Sequence, residues 1–403
     1  MVSLANGPFQ CLTLSLLILP PILLTTYFLA AFPSPPEPLV IYPSLESLPK
    51  AHSSWEIYPE DFYQGGAYAR FPYGKVRYWL IGPEDGKKVV LIHGLSIPAM
   101  VWKDVAPALA SRGYRVLLYG MSLFPIRWQS INSHADLYGR GYSDAPSTTY
   151  STALYTAQLA LLMQHIKWDK AHVVGVSMGG AIAAAFTSQF PHLVEDRVVL
   201  IACAGMMDSS DLPRTAKFMS SPLVQTLTGS SLVRSYLQHL ISSKGNTSLM
   251  VSAHVATEAD NPEQHPLTGG GEAEATDPAK VFTTKEAGDG RIQEIVRIQS
   301  AHLPGYNAAV ASSLRDGPIR GLTSAFADGD AWNNKRVVVI HGTKDNTVPY
   351  KYAARIKETI ERAVGERNAG AVNVTVVTVE GGKHDLTVSH PKLVVDEISE
   401  LFS

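Results

Sequence analysis

Cysteine is nearly absent: Cys11 and Cys203 are the only two in 403 residues. Cys11 lies in an apolar N-terminal run and Cys203 in a strand-like run, which excludes a disulfide framework. Metal-ligand spacings are missing as well. The 13 histidines form no HExxH and no Cys/His pattern, so neither a metal nor a cofactor is expected. Positive charge is not in excess. Lys and Arg number 34 against 36 Asp and Glu, a net charge of −2, and nucleic acid is not an expected partner. Charged residues make up only 17% and hydrophobic residues 45%, which excludes a disordered chain and predicts a large folded core.

Basic residues are also missing from the N-terminus, where the first is Lys50. The positive-inside rule therefore has little to act on, and orientation is not readable. What the N-terminus does contain is an uncharged run, CLTLSLLILPPILLTTYFLAAF, at 11–32. It is long enough for a helix to cross about 30 Å of hydrocarbon and longer than the usual signal-peptide core of about 7–15 residues. A ten-residue tail (1–10) followed by a single-pass membrane anchor (11–32) is expected; a cleaved signal peptide on a secreted protein is the alternative. PSPPEP at 33–38 opens a stiff linker assigned to 33–66. The sequons at Asn246 and Asn373 bear on this only if the domain faces a lumen.

From residue 67 the pattern becomes strand, turn, helix, repeated. YARF and KVRYWLIG read as an antiparallel pair. KKVVLIHG, RVLLY, AHVVGV, RVVLIACA, RVVVIHG and VNVTVVTV are apolar, β-branched runs of the kind buried on both faces of a parallel sheet. Helical spacings separate them, as in YSTALYTAQLALLMQHI and YKYAARIKETIERA. This alternation predicts an α/β fold with a mostly parallel central sheet flanked by helices. The core has a first part at 67–206 and a second at 331–403. Between them, 207–330 breaks the alternation with helical stretches and an acidic, Gly-rich segment, and reads as a helical cap or lid inserted between the later strands.

Gly175-Val176-Ser177-Met178-Gly179 fits G-x-S-x-G at a strand-to-helix junction. Glycines on either side let a serine occupy a strained turn with its hydroxyl exposed above the sheet. A hydroxyl is a poor nucleophile until a base takes its proton. The base is assigned to His384 in VEGGKHD, directly after the last strand, in preference to His390. An imidazole base needs a carboxylate to fix its tautomer, and Asp345 in HGTKDNTVP, beyond strand 336–342, is in place for that. The chain order is Ser177, Asp345, His384. Acyl transfer also needs backbone donors for the oxyanion. Met178 N–H supplies one, and the loop after His93-Gly94 supplies the other, assigned to Leu95 N–H.

HGLSIPAMVW, DLYGRGYSDAP, GVSMGG, HGTKDNTVP and GGKHD together resemble the α/β-hydrolase fold family, in its serine-nucleophile form. The N-terminal run and YPEDFYQGGAYARF add a likeness to uncharacterised fungal membrane-anchored hydrolases. The resemblance implies a carboxylesterase, lipase or thioesterase type of enzyme. It would cleave an ester or thioester, less readily an amide, of a small lipophilic acyl substrate. The family also holds epoxide and C–C bond hydrolases of secondary metabolism and non-catalytic ligand-binding members; the first of these attack with an aspartate, where this chain has Ser177.

One segment does not fit. RVLLY at 115–119 should run directly into DLYGRGYSDAP, but Gly120–Ala135 intervenes, aperiodic and apolar, with Phe124 and Trp128. Gly-Met-Ser can be encoded as a 5′ splice site and His-Ala-Asp as a 3′ one, and removal of the stretch between them keeps the frame. The segment reads as a retained intron, with a genuine loop insertion at the strand end as the alternative.

Overall fold

The computed structural model describes residues 17–27, 38–63, 66–118, 136–212, 290–366 and 371–403. The segment 120–135, the middle of the expected cap (213–289) and the sequon Asn246 lie outside the described residues. The chain forms two units, Met1–Val40 and Ile41–Ser403. In the first, residues 17–27 of the apolar run are helical, with exposed side chains such as Leu17 and Leu23. Among the described residues, no helix is long and apolar enough to cross a membrane.

The second unit is built on an eight-stranded sheet. Its strands are β2 (Gly66–Phe71), β3 (Gly74–Ile81), β4 (Lys87–Ile92), β5 (Tyr114–Leu118), β7 (Ala171–Val176), β8 (Val194–Ile201), β9 (Arg336–Gly342) and β10 (Asn373–Val379). Their spatial order is β10-β9-β8-β7-β4-β5-β3-β2. Only β3 runs against the others; it pairs antiparallel with both β2 and β5. The fold is the one the alternation predicts. Successive side chains of a strand point to opposite faces, so each apolar run feeds two cores. Val90 and Ile92 of β4 enter one, and Val89 and Leu91 enter the other.

Helices cover both faces. One core takes α2 (Thr152–His165), α3 (Met178–Gln189) and α6 (Lys351–Glu366); the other takes α1 (Val105–Ser111), α4 (Gly290–His302) and α7 (Pro391–Phe402). A further helix, α5 (Tyr306–Asp316), sends Ala309 to the first and Val310 and Leu314 to the second. The sequence sets these faces directly. In α6, Tyr352, Ile356, Ile360 and Val364 recur at helical spacing and are buried, together with Ala353, Thr359 and Ala363. Ser151 caps α2 by accepting the Leu154 amide at 3.3 Å.

Two expected boundaries require correction. The linker assigned to 33–66 is largely part of the core unit. A two-residue strand β1 (Ile41–Tyr42) pairs with β6 (Ala145–Pro146), and Leu45, Tyr58 and Tyr63 are buried. The physical reason is aromatic burial: Tyr58 and Tyr63 pack edge-on against Trp79, and Trp55 against Tyr142. The cap assigned to 207–330 likewise ends in core structure, because Ile295, Tyr306, Phe326 and neighbouring side chains are buried in it. The excursion leaves and rejoins at one place: Gly205 N–H donates to Ile319 O and Leu322 N–H to Gly205 O.

The edges of the 120–135 segment are also informative. Leu118 sits beside Leu91 in the β4–β5 register. Leu137 N–H reaches His93 Nε2 at 3.1 Å, and the Asp136 carboxylate approaches the same nitrogen. Both flanks of the segment thus lie at the end of β4, Leu118 beside Leu91 and Leu137 at His93. A chain with Tyr119 joined directly to Asp136 is expected to fold, with a melting temperature no lower than the full chain, because a shorter closure costs less entropy. Thermal unfolding checks this, and loss of the folded state on deletion would show the segment to be a working part. In native material, the tryptic peptide VLLYDLYGR would identify the joined form.

Candidate active site

Ser177 stands between β7 and α3 with φ 56° and ψ −121°, a conformation that L-residues rarely adopt. The packing around it leaves no alternative. A Cβ on Gly179 would lie 2.1 Å from Ile92 O, and one on Gly175 2.1 Å from Gly179 O. Only glycines allow β7, β4 and the start of α3 to approach so closely. The serine backbone is tied to the next strand by Ser177 N–H to Ile201 O (2.9 Å) and Ala204 N–H to Ser177 O (3.2 Å).

Parallel strands that end on the same edge bring the three sequence candidates together. His384, in the loop after β10, places Nε2 2.9 Å from Ser177 Oγ and Nδ1 2.8 Å from Asp345 Oδ2. A carboxylate only accepts, so Nδ1 carries the proton and Nε2 is free to take one from the serine. Asp345, in the loop after β9, is fully buried at its side chain. Its Oδ1 accepts the Thr347 and Val348 amides, both at 2.9 Å. Burial alone pushes this carboxyl upward, but His384, the His341 donor and the Val348 amide outweigh it and hold the group well below the usual carboxylate range. His390 joins neither residue; its Nδ1 meets Ser389 Oγ at the start of α7.

The loop after β4 lies against the serine: a Cβ on Gly94 would sit 3.4 Å from Ser177 Cβ. Three consecutive carbonyls of this loop are each held by a side-chain donor. His93 Nδ1 meets Gly94 O at 2.9 Å, Arg140 Nε meets Leu95 O at 2.7 Å, and Tyr306 O–H meets Ser96 O at 3.0 Å. Gly94 O and Leu95 N–H belong to one peptide plane and point in opposite directions, so the first of these bonds also aims the Leu95 amide. His93 Nε2 accepts the Leu137 amide at 3.1 Å, which fixes the Nδ1–H tautomer. Burial drives His93 down to about 3, against the pull of the Gly94 carbonyl and with help from Arg140. Met178 contributes the first amide of α3, where helix N–H groups have no intrahelical acceptor. Among the described residues, neither the Met178 nor the Leu95 amide has an acceptor.

Arg140 is one residue that sequence reading passed over. It sits inside DLYGRGYSD, a motif visible as a loop but silent about where its side chain goes. The guanidinium is fully buried. Besides Leu95 O it donates to Tyr138 O (2.9 Å), Tyr155 Oη (2.8 Å) and Ser313 Oγ (2.9 Å), all neutral oxygens. A buried cation is tolerable only when so fully hydrogen-bonded. Arg140→Met is expected to cost roughly 2–4 kcal/mol, because it strands several buried acceptors at once, and to slow the reaction of Ser177 with a fluorophosphonate. Denaturant unfolding and labelling rates at a temperature where the variant is folded test both. Neighbouring Asp136 is buried against the Ala99 and Tyr142 amides, and burial pushes its carboxyl up to about 7.

Residues 89–397 match the model of the alpha/beta hydrolase family, and the chain belongs to that family of hydrolase-fold enzymes. It is 32% identical over 122 residues to an uncharacterized protein of Mycobacterium tuberculosis, covering 30% of each chain. It is 32% identical over 126 residues to a 2-hydroxy-6-oxo-2,4-heptadienoate hydrolase of Pseudomonas putida, covering 30% of this chain and 39% of that one. The chain thus spans well under half the length of these curated relatives. Among solved structures, a meta-cleavage product hydrolase of Pseudomonas fluorescens aligns with a TM-score of 0.52 at 18% identity, over 84% of this chain and 97% of that one, a likeness of fold alone.

Proposed function

We propose that the protein is a serine hydrolase that cleaves the ester or thioester bond of a small lipophilic acyl substrate. The observation that carries this reading is the continuous relay from Ser177 Oγ through His384 to Asp345, at 2.9 and 2.8 Å. Ser177 Oγ attacks the acyl carbonyl as His384 Nε2 removes its proton. The Met178 and Leu95 amides receive the oxyanion. His384 then protonates the leaving alcohol or thiol, and an acyl-enzyme remains on Ser177. Water, deprotonated by the same imidazole, releases the acid and restores the serine.

A hydroxyl rather than a carboxylate at the elbow speaks against epoxide opening through an alkyl-enzyme ester. The uncharged run at 11–32 supports a tether that would hold the enzyme at a membrane, where lipophilic esters partition. A fluorophosphonate probe tests the chemistry: it should label the folded protein and fail after heat denaturation. p-Nitrophenyl esters of increasing acyl length should be turned over by the same preparation. A folded protein that neither reacts nor hydrolyses would overturn the reading in favour of a ligand-binding role.

A further inference from the structure

A second histidine shares the acid of the relay. His341 is the penultimate residue of β9 and is fully buried, with its ring edge-on to Tyr350 at 5.8 Å between centroids. Its Nε2 lies 2.8 Å from Val348 O and 3.4 Å from Asp345 Oδ2. Val348 O can only accept, so Nε2 carries the proton and donates it to that carbonyl, with the carboxylate oxygen close to the same nitrogen. Among the described residues, the ring's Nδ1 is buried with no hydrogen-bond partner.

We infer that His341 is a positioning residue for Asp345: its Nε2–H ties the Asp345 carboxylate to the Val348 carbonyl and turns Oδ2 toward His384. This rests on the catalytic reading of Ser177, His384 and Asp345 and adds a fourth member to it. The Thr347 and Val348 amides hold Oδ1, which leaves one in-plane freedom, rotation of Oδ2 away from the imidazole. His341, 3.4 Å from Oδ2, is placed to limit that freedom. Oδ2 thus accepts one ring N–H, from the base it orients, and has a second ring N–H within 3.4 Å, on a ring hydrogen-bonded to Val348 O. The sequence alone would not suggest this, because an HG pair ending a strand reads only as a tight exit.

The test compares two substitutions. His341→Gln keeps an N–H donor within reach of Asp345 Oδ2 and Val348 O, whereas His341→Leu removes it at similar volume. The Leu variant is expected to lose about ten- to a hundredfold in kcat toward p-nitrophenyl butyrate, the rate equivalent of one hydrogen bond to a charged group. Its KM should not change, since no substrate-facing group is altered. The Gln variant should recover most of the loss. The far-downfield proton resonance of the His384–Asp345 hydrogen bond should move in the Leu variant and stay in the Gln variant. A Leu variant with wild-type kcat, or Gln and Leu variants impaired equally, would overturn the proposal and leave His341 a packing residue. If the Leu variant does not fold, nitrogen-15 shifts of the wild-type histidines decide: His341 must be the Nε2–H tautomer, and an Nδ1–H tautomer overturns the inference. The resonances are read without substrate. Failure of the catalytic reading would appear elsewhere, as ester hydrolysis persisting in Ser177→Ala.

Discussion

Ser177→Ala is expected to leave a folded protein with no turnover, a loss on the order of 10⁶-fold in kcat where triad members act as a unit. The fold should survive because nothing in the elbow depends on the hydroxyl. Gly175 and Gly179 impose the turn, and the bonds to Ile201 O and from Ala204 N–H are backbone bonds. Alanine meets the same φ of 56° that serine already tolerates. The substitution removes the hydrogen bond between Oγ and His384 Nε2, made by a partly exposed imidazole, which limits the stability change to about 1 kcal/mol. Three readouts define the result: p-nitrophenyl ester hydrolysis, fluorophosphonate labelling and thermal melting. Hydrolysis at the wild-type rate in a labelled or unlabelled variant would remove Ser177 from the mechanism, and with it the acyl-enzyme.

The sheet and the relay were legible because their signals are local. Val89–Ile92, Val173–Val176, Val198–Ile201 and Val337–Ile340 are runs of apolar residues and glycine, the mark of a strand covered on both faces. The nucleophile elbow requires two glycines within five residues, and the strand ends that carry Asp345 and His384 are short loops after obvious strands. The wrapping of residues 41–63 around the core was not legible. Its elements are two to four residues long and have no period; what fixes them is packing against Trp79 and Tyr142, far along the chain. Arg140, Tyr306 and His341 were missed for a related reason. Each acts through a carbonyl or carboxylate whose position only the folded chain defines, and Tyr306 reaches Ser96 O across 210 residues of sequence. Sequence pattern reports which residue types stand at a turn. It does not report which backbone oxygen a distant donor will find.

Asp345→Asn is expected to lower kcat by about 10⁴-fold with little change in the position of any atom. The orientation of the new amide follows from the present hydrogen bonds. Thr347 and Val348 both donate to Oδ1, so the amide oxygen must stay there and the amino group must take the place of Oδ2. That group donates toward His384 Nδ1, which is then forced to accept. The proton moves to Nε2, the imidazole offers a hydrogen to Ser177 Oγ where a lone pair is needed, and no base remains. The same amino group faces the Nε2–H of His341, donor against donor, which adds strain the wild type lacks. Stability should respond to pH in a telltale way. A carboxyl held below its ordinary range when folded contributes stability above the unfolded value, and that contribution fades as pH falls toward the folded one. The Asn variant, having no such proton to bind, should be less stable than wild type at neutral pH, and the gap between them should narrow in acid. Denaturant unfolding from neutral pH downward, beside kcat on p-nitrophenyl butyrate, measures both effects. A variant within tenfold of wild-type kcat would show that another carboxylate orients His384, a pH-independent stability gap would show that folding leaves the Asp345 carboxyl unshifted, and a wild type that gains on the variant in acid would show a carboxyl held protonated in the folded protein.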